Sequence, residues 1–116
     1  MQQYLDIINH FGIRNQMKKC NEEMFEFLEA VDNYEDSMVE AENPHSYIGH
    51  EELHVFREHV IEEMGDLLVL LTQFIALYQI DKEELDKHMD YKLDRTLKYI
   101  HNLLEKGGNL DENCEK

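Results

Sequence analysis

Two pairs of carboxylates, each with members three residues apart, are the side chains of this 116-residue chain that could do chemistry together. Glu23 and Glu26 form one pair, and Glu63 and Asp66 form the other. Helical positions three apart share a face, so two adjacent helices would gather four carboxylates. Oxygen ligands of this kind suit hard cations such as Mg²⁺ or Mn²⁺. Taken alone, the first pair and the neighbouring Glu22 are equally consistent with a solvated acidic face.

Glu63 is the most informative of these residues, because the apolar pattern around it predicts a buried position. Projected at 100° per residue, it falls inside the arc of Val60, Leu67 and Leu70, while Asp66 falls at the edge. An unpaired buried carboxylate is strongly destabilising. Either a bound cation or a Lys or Arg from another helix must offset it. Few basic residues lie nearby in the sequence, which favours the cation.

The periodicity of apolar residues predicts an all-α chain, a bundle of about four helices. Residues 34–49 are polar, contain Pro44 and Gly49, and predict a loop or a broken connection. Asp81 and Glu84 have the spacing of a capping box that opens the last helix. The predicted helices cover about residues 3–10, 13–33, 51–78 with a possible break before Val60, and from Asp81 to the glycines at 107–108. Residues 1–108 are expected to form a single domain, followed by a flexible polar tail, 109–116.

The charge and length of the chain limit its partners. The formal net charge of −15 excludes binding to nucleic acid by charge attraction. No apolar run is long enough to span a bilayer, and the N-terminus lacks the pattern of a signal peptide, so a soluble cytoplasmic protein is expected. A chain this short, whose third helix is apolar nearly all round from Leu67, is expected to form a homodimer or homotetramer.

Two short motifs resemble a known family. Residues 21–26 (NEEMFE) match E-E-x-x-E, and residues 62–68 (EEMGDLL) match E-x-x-D with a glycine before the aspartate. Residues 11–17 (FGIRNQM) are similar to the run-in to the first motif. In this order, on long predicted helices, the motifs resemble those of the MazG-like, all-α nucleoside triphosphate pyrophosphohydrolases. The resemblance covers roughly residues 10–100.

The resemblance implies a reaction and a role for each carboxylate. Members of the family use Mg²⁺ to cleave a nucleoside triphosphate to the monophosphate and pyrophosphate. By position, the metal ligands would be Glu23, Glu26, Glu63 and Asp66. Glu22 would be a further ligand or would orient the attacking water. The metal would lower the pKa of that water and offset charge on the phosphates.

The resemblance also implies basic residues that hold the phosphates. Lys92 and Arg95, close to one helical turn apart, are the candidates on the last helix, and Lys19 is a third. The alternative for each of them is a solvated helix face. Which base or sugar is preferred does not follow from these residues.

Three other interpretations fit parts of the sequence. His50–His54 matches H-E-x-x-H, with His59 as a third possible zinc ligand, but so short a chain has little room for a protease cleft. A di-iron bundle needs two helical Glu-x-x-His motifs. Glu51–His54 is one, whereas Glu42–His45 contains Pro44 and does not suit a helix. The main alternative is a non-enzymatic helical protein that binds metal or a partner.

Overall fold

The computed structural model describes residues 1–107, and all of its regular secondary structure in that range is helical. The four helices are α1 (Gln2–Phe11), α2 (Ile13–Ala41), α3 (His50–Leu77) and α4 (Lys82–Glu105). The all-α class and the number of helices are therefore confirmed. The chain divides into two compact units, residues 1–79 and a second unit that begins at Ile80, and each is described separately. The tail expected at residues 109–116 lies outside the described residues.

The inner face of α2 follows a strict seven-residue repeat. Its buried residues are Gln16, Glu23, Ala30 and Ser37. The half-buried positions beside them repeat at the same interval: Ile13, Cys20, Phe27, Tyr34 and Ala41. Alternating steps of three and four residues keep one narrow stripe turned toward a partner helix. The stripe is unusual because three of its four buried residues are polar.

The partner of this stripe is α3, which lies antiparallel to α2. The residues of α3 that face inward are spaced alternately three and four positions apart: Leu53, Phe56, Val60, Glu63, Leu67 and Leu70. Gln16 meets Gln73, whereas Glu23, later in α2, meets Glu63, earlier in α3. The order of the meeting residues is reversed between the helices, which defines the antiparallel arrangement. The inward residues of α2 and α3 meet along a line that we call the seam. The packing therefore places one glutamate of each helix on the seam.

The first helix, α1, packs against the end of the α2–α3 pair where α2 begins. Its Ile8 is only 2 % exposed, and α1 packs on both α2 and α3. The chain turns from α1 into α2 at Gly12, whose φ of 89° is open to glycine and strained for other residues. The Gly12 N–H donates to the Ile8 carbonyl at 2.8 Å and so ends α1. This turn fixes where α2, and with it the first carboxylate motif, starts.

Three expectations about the helices were wrong. The first half of the predicted 34–49 loop is helical, because the seam of α2 continues through Tyr34 and Ser37. There is no break before Val60, since the seam of α3 already runs through residues 53 and 56. Asp81 precedes α4 but its side chain makes no capping hydrogen bond. A capping hydrogen bond is found at the start of α3 instead, where the Gly49 N–H donates to the Glu52 carboxylate at 3.0 Å.

The second unit consists, in its described part, of α4 alone. Acidic residues in its first turn, Glu83 and Glu84, lie near the positive end of the helix dipole and favour this start. No residue of α4 is buried. The apolar residues of α4 are therefore at most half-buried.

None of the helices within residues 1–107 combines the length and the apolar character needed to cross a membrane.

Two glycines allow a matched test of the backbone. Gly12→Ala should destabilise the protein by about 1–3 kcal/mol, because the new side chain meets open space but is forced to a positive φ. Gly65→Ala, inside α3 and also facing open space, should stabilise it by about 0.5–1 kcal/mol through helix propensity. Urea unfolding of both variants in EDTA measures the two effects. Equal and small changes would contradict the assigned turn at Gly12.

Candidate metal centre

Three carboxylates from two helices meet at the middle of the α2–α3 seam. Glu23, Glu26 and Glu63 each place one carboxylate oxygen within 4.8 Å of the others. Glu23 and Glu63 occupy seam positions of their helices, and Glu26 lies one turn further along α2. The antiparallel packing therefore brings together three of the four metal ligands expected from the sequence.

Burial distinguishes this group from an ordinary acidic surface. The Glu23 side chain is 8 % exposed and the Glu63 side chain 13 %, whereas Glu26 is exposed. One oxygen of each buried carboxylate, Glu23 Oε2 and Glu63 Oε2, has no hydrogen-bond partner. Buried polar atoms normally have partners, and a missing one is costly. Two such oxygens belong to carboxylates of one cluster, where they could bind a cation.

The electrostatics of Glu63 reflect this crowding. Burial is the main cause that raises the pKa of Glu63, and the charges of Glu26, Glu23 and Asp66 raise it further. His59 lowers the pKa, but less; its Nε2 lies 3.9 Å from Glu63 Oε1. The charged form of Glu63 is therefore less favourable at this position than in water.

Lys19 lies against the cluster. Its Nζ is 3.1 Å from Glu23 Oε1 and 3.8 Å from Glu22 Oε2. The hydrogen bond to Glu23 and the attraction of the same carboxylate raise the pKa of Lys19. One oxygen of Glu23 is thus neutralised from within α2, while the other has no partner.

The fourth expected ligand, Asp66, lies beside the cluster. It is exposed, and its charge acts on Glu63. Asp66 and Glu23 also line one groove of about 360 Å³ along the α2–α3 pair, which continues past Val69 to Gln73. The groove gives a ligand access to the carboxylates.

Glu22, the candidate for orienting water, lies on a different surface. Its side chain is 64 % exposed and lines a second groove of about 370 Å³ with Phe11, Asn15 and Lys18. Lys19 lines both grooves, so it lies at their border. The role expected for Glu22 stays a prediction.

The other two phosphate-binding candidates, Lys92 and Arg95, lie on α4. Lys92 is half-buried, Arg95 is exposed, and both interact with other groups. They belong to the second compact unit, so their role also stays a prediction.

The histidine motif of the first turn of α3 forms no comparable site. His50 and His54 are exposed, and His54 Nε2 lies 3.6 Å from the Glu58 carboxylate. The Glu52 carboxylate caps the helix. Within residues 1–107, the group of possible ligands identified is the glutamate cluster, which contains no histidine.

Two features escaped the reading of the sequence. Gln16 and Gln73 form a buried amide pair at 2.8 Å, at the far end of the groove. The only signal in the sequence was one glutamine within the apolar run of α3. His59, considered only as a zinc ligand, lies instead between Glu62 and Glu63, at 3.9 Å from each carboxylate. Its spacing of four residues from Glu63 would have predicted that contact.

The residues fit a hard divalent cation. The set of oxygens is purely carboxylate and comes from two helices, and two of the three carboxylates also have a buried oxygen without a donor. Mg²⁺ and Mn²⁺ take such ligands, whereas zinc and copper sites rely on histidine or cysteine. Glu23, Glu26 and Glu63 could hold the ion, with Asp66 at the edge of the same groove.

Comparisons of the chain with protein-family models, with curated proteins and with solved structures give no match.

The ion pair of Lys19 provides a test of the site without nucleotide. Lys19→Met should raise the affinity for Mn²⁺ by about fivefold, because it removes a positive charge 3.1 Å from a ligand oxygen. Lys18→Met removes the same charge from the adjacent position and should have a smaller effect. Isothermal titration with Mn²⁺ compares the two. Lower affinity in Lys19→Met would mean that this ammonium orders Glu23 rather than competing with the ion.

The raised pKa of Glu63 predicts opposite effects of pH with and without metal. Since the folded pKa lies above the unfolded value, this group's contribution to stability is fully present below the unfolded pKa and is lost as pH rises through the folded pKa. A bound cation requires the charged form, so the stabilisation by Mg²⁺ should shrink as pH falls from 7 to about 5. Melting curves in EDTA and in Mg²⁺ across that range measure both trends. A Mg²⁺ effect independent of pH would contradict the assignment.

Proposed function

We propose that the protein is a Mg²⁺-dependent nucleoside triphosphate pyrophosphohydrolase of the MazG-like kind. The reaction would cleave a ribo- or deoxyribonucleoside triphosphate between the α and β phosphates, giving the monophosphate and pyrophosphate. Such a substrate is a cytoplasmic metabolite, so the proposal includes the cytoplasmic location that the sequence favoured.

One observation carries the proposal: the Glu23, Glu26 and Glu63 oxygens lie within 4.8 Å of one another, and two of these side chains have a buried oxygen without a donor. A stabilising salt bridge is the main alternative for Glu63. Within residues 1–107, the ion pair of Glu63 is with His59, at 3.9 Å and half exposed, which is a weak partner. A cation held by several carboxylates accounts for the cluster better.

The net charge favours a role for the cation in substrate binding. A chain of net charge −15 repels a triphosphate, and the groove itself contains Glu23 and Asp66. Bound Mg²⁺ supplies positive charge that offsets the phosphate oxygens and acidifies a water nucleophile. Lys19, at the border of the two grooves, is placed to contribute a further positive charge to a phosphate.

The second element of the proposal is self-association to a homodimer or homotetramer. On α3, Leu68, Val69 and Leu71 remain exposed, Leu68 by 53 %. A second copy of the chain would remove this apolar surface from water. Light scattering at micromolar concentration tests this part separately. A stable monomer would remove it without affecting the reaction.

The reaction itself is tested by its products. Purified protein with Mg²⁺ and a panel of nucleoside triphosphates should release pyrophosphate and the monophosphate, separated by chromatography. Nucleoside diphosphate and orthophosphate would contradict cleavage between the α and β phosphates. Metal binding without hydrolysis of any nucleotide would support the non-enzymatic metal-binding alternative instead.

Glu63→Gln separates the metal interpretation from the salt-bridge interpretation. Loss of one anionic ligand should lower Mg²⁺ affinity by at least about tenfold and lower hydrolysis in parallel. In EDTA the variant should be as stable as the parent or more so, because repulsion by Glu23 and Glu26 is relieved. Denaturant melts in EDTA and in Mg²⁺, beside a pyrophosphate-release assay, give all three quantities.

The matched control is Glu62→Gln. It removes the same charge from the adjacent residue, whose side chain is 72 % exposed. This variant should keep metal affinity and hydrolysis close to those of the parent. If Glu63→Gln instead loses stability equally with and without metal, a salt bridge holds Glu63 and the metal site is wrong.

A further inference from the structure

The buried amide pair at the end of the groove is the other polar contact inside the α2–α3 interface. Gln16 Nε2 donates to Gln73 Oε1 at 2.8 Å. Gln73 is 2 % exposed and Gln16 is 7 % exposed. The bond joins two helices across 57 positions of sequence. The proposed reaction gives these amides no part.

The pair has a fixed relation to the carboxylates. Gln16 precedes Glu23 by seven residues on α2, and Gln73 follows Asp66 by seven residues on α3. Because the helices are antiparallel, both intervals run in the same direction along the seam. Seven residues of helix span about 10 Å, so the amide layer lies two turns from the carboxylate layer on both helices. All four side chains line the same groove.

In the second half of α3, apolar packing alone does not select the face that the helix turns toward α2. Residues 67–71 read Leu-Leu-Val-Leu-Leu, so apolar side chains surround the helix at this point. Leu67 and Leu70 are buried, yet Leu68 and Leu71 are exposed and chemically equivalent to them. Within residues 67–71, a rotation by one residue would exchange one set for the other at little cost in apolar burial, whereas in the first half of α3 it would replace Leu53 and Phe56 by His54 and Arg57. The same rotation would turn Glu63 and Asp66 away from Glu23.

We propose that the Gln16–Gln73 hydrogen bond fixes the rotation and the axial alignment of the second half of α3 on α2, and thereby positions Glu63 and Asp66 opposite Glu23. The two glutamines are positioning residues for the metal site. The inference rests on the metal-binding part of the proposed function and is independent of the reaction.

The physical basis is the direction of an amide hydrogen bond. Any rotation or sliding of α3 separates the two amides, and each would then be buried without its partner, which is unfavourable. A pair of apolar residues would pack as well in the aligned state but would not penalise the alternatives. A buried polar side chain sets the register of paired helices in the same way elsewhere.

The test replaces both amides by their closest apolar isostere, in the double variant Gln16→Met/Gln73→Met. The matched control is Ser37→Ala. Ser37 is also a buried polar residue of the α2 seam, but its hydroxyl donates within its own helix, to the Asn33 carbonyl at 2.7 Å. Isothermal titration with Mn²⁺ alone and thermal melts in EDTA are measured for the parent and both variants.

We expect the double variant to melt in EDTA at or above the temperature of the parent, while its Kd for Mn²⁺ rises at least tenfold. Ser37→Ala should bind Mn²⁺ like the parent. A purely structural amide pair would lower the melting temperature and leave the Kd unchanged. A folded double variant with a Kd within a factor of two of the parent overturns the inference.

A second variant covers failure of the first to fold. Gln16→Asn keeps an amide but shortens its reach by one carbon, so the bond to Gln73 is lost in a more conservative background. It should show the same rise in Kd, and an unchanged Kd overturns the inference. A parent that binds no Mn²⁺ overturns both this inference and the proposed function. A parent that binds Mn²⁺ but cleaves no nucleotide removes only the reaction.

Discussion

The mutual repulsion of two glutamates on one helix–helix seam is the constraint on which the site depends. Glu23 and Glu63 occupy positions that packing normally gives to apolar residues, and each contributes a buried oxygen without a donor. In a protein interior, such charges are tolerated when an opposite charge balances them. Lys19 balances one oxygen of Glu23, and His59 is a distant, half-exposed partner of Glu63. A divalent cation would offset the negative charge of Glu23 and Glu63 that these two residues leave uncompensated.

The rest of residues 1–79 holds these two side chains against each other. The seven-residue repeat of α2 keeps Gln16, Glu23, Ala30 and Ser37 on one stripe, and small side chains at the last two allow close approach of α3. The turn at Gly12 sets the start of that stripe, and α1 covers its first part with Ile8. The buried polar residues of α2 differ in how their hydrogen-bonding groups are satisfied. Ser37 bonds within its helix, Gln16 bonds across the interface, and Glu23 is satisfied only in part.

Much of this could be predicted from the sequence, and the failures have physical reasons. The spacing of Glu63 among Val60, Leu67 and Leu70 predicted its inward position, because helical periodicity is a local property. Apolar residues alone would place the inner face of α2 on a stripe that includes Met17 and Met24, about one residue away from its true centre. Those methionines are about two-fifths exposed, while Gln16 and Glu23 are buried. Apolar periodicity does not reveal a seam whose buried residues are mostly polar. The amide pair was missed for the same reason, since a bond across 57 positions leaves no local signal.

The connection between α2 and α3 has a consequence for the order of folding. The eight residues 42–49 join two helices that can each form locally, and local helix formation is far faster than the assembly of a domain. While the helices are apart, the carboxylates of each are solvated and largely independent. Glu63 approaches Glu23 only when the two helices dock. The repulsion between their carboxylates therefore opposes docking and does not oppose helix formation. A divalent ion bound by these carboxylates would offset that penalty, so that metal binding would be coupled to the docking of the two helices.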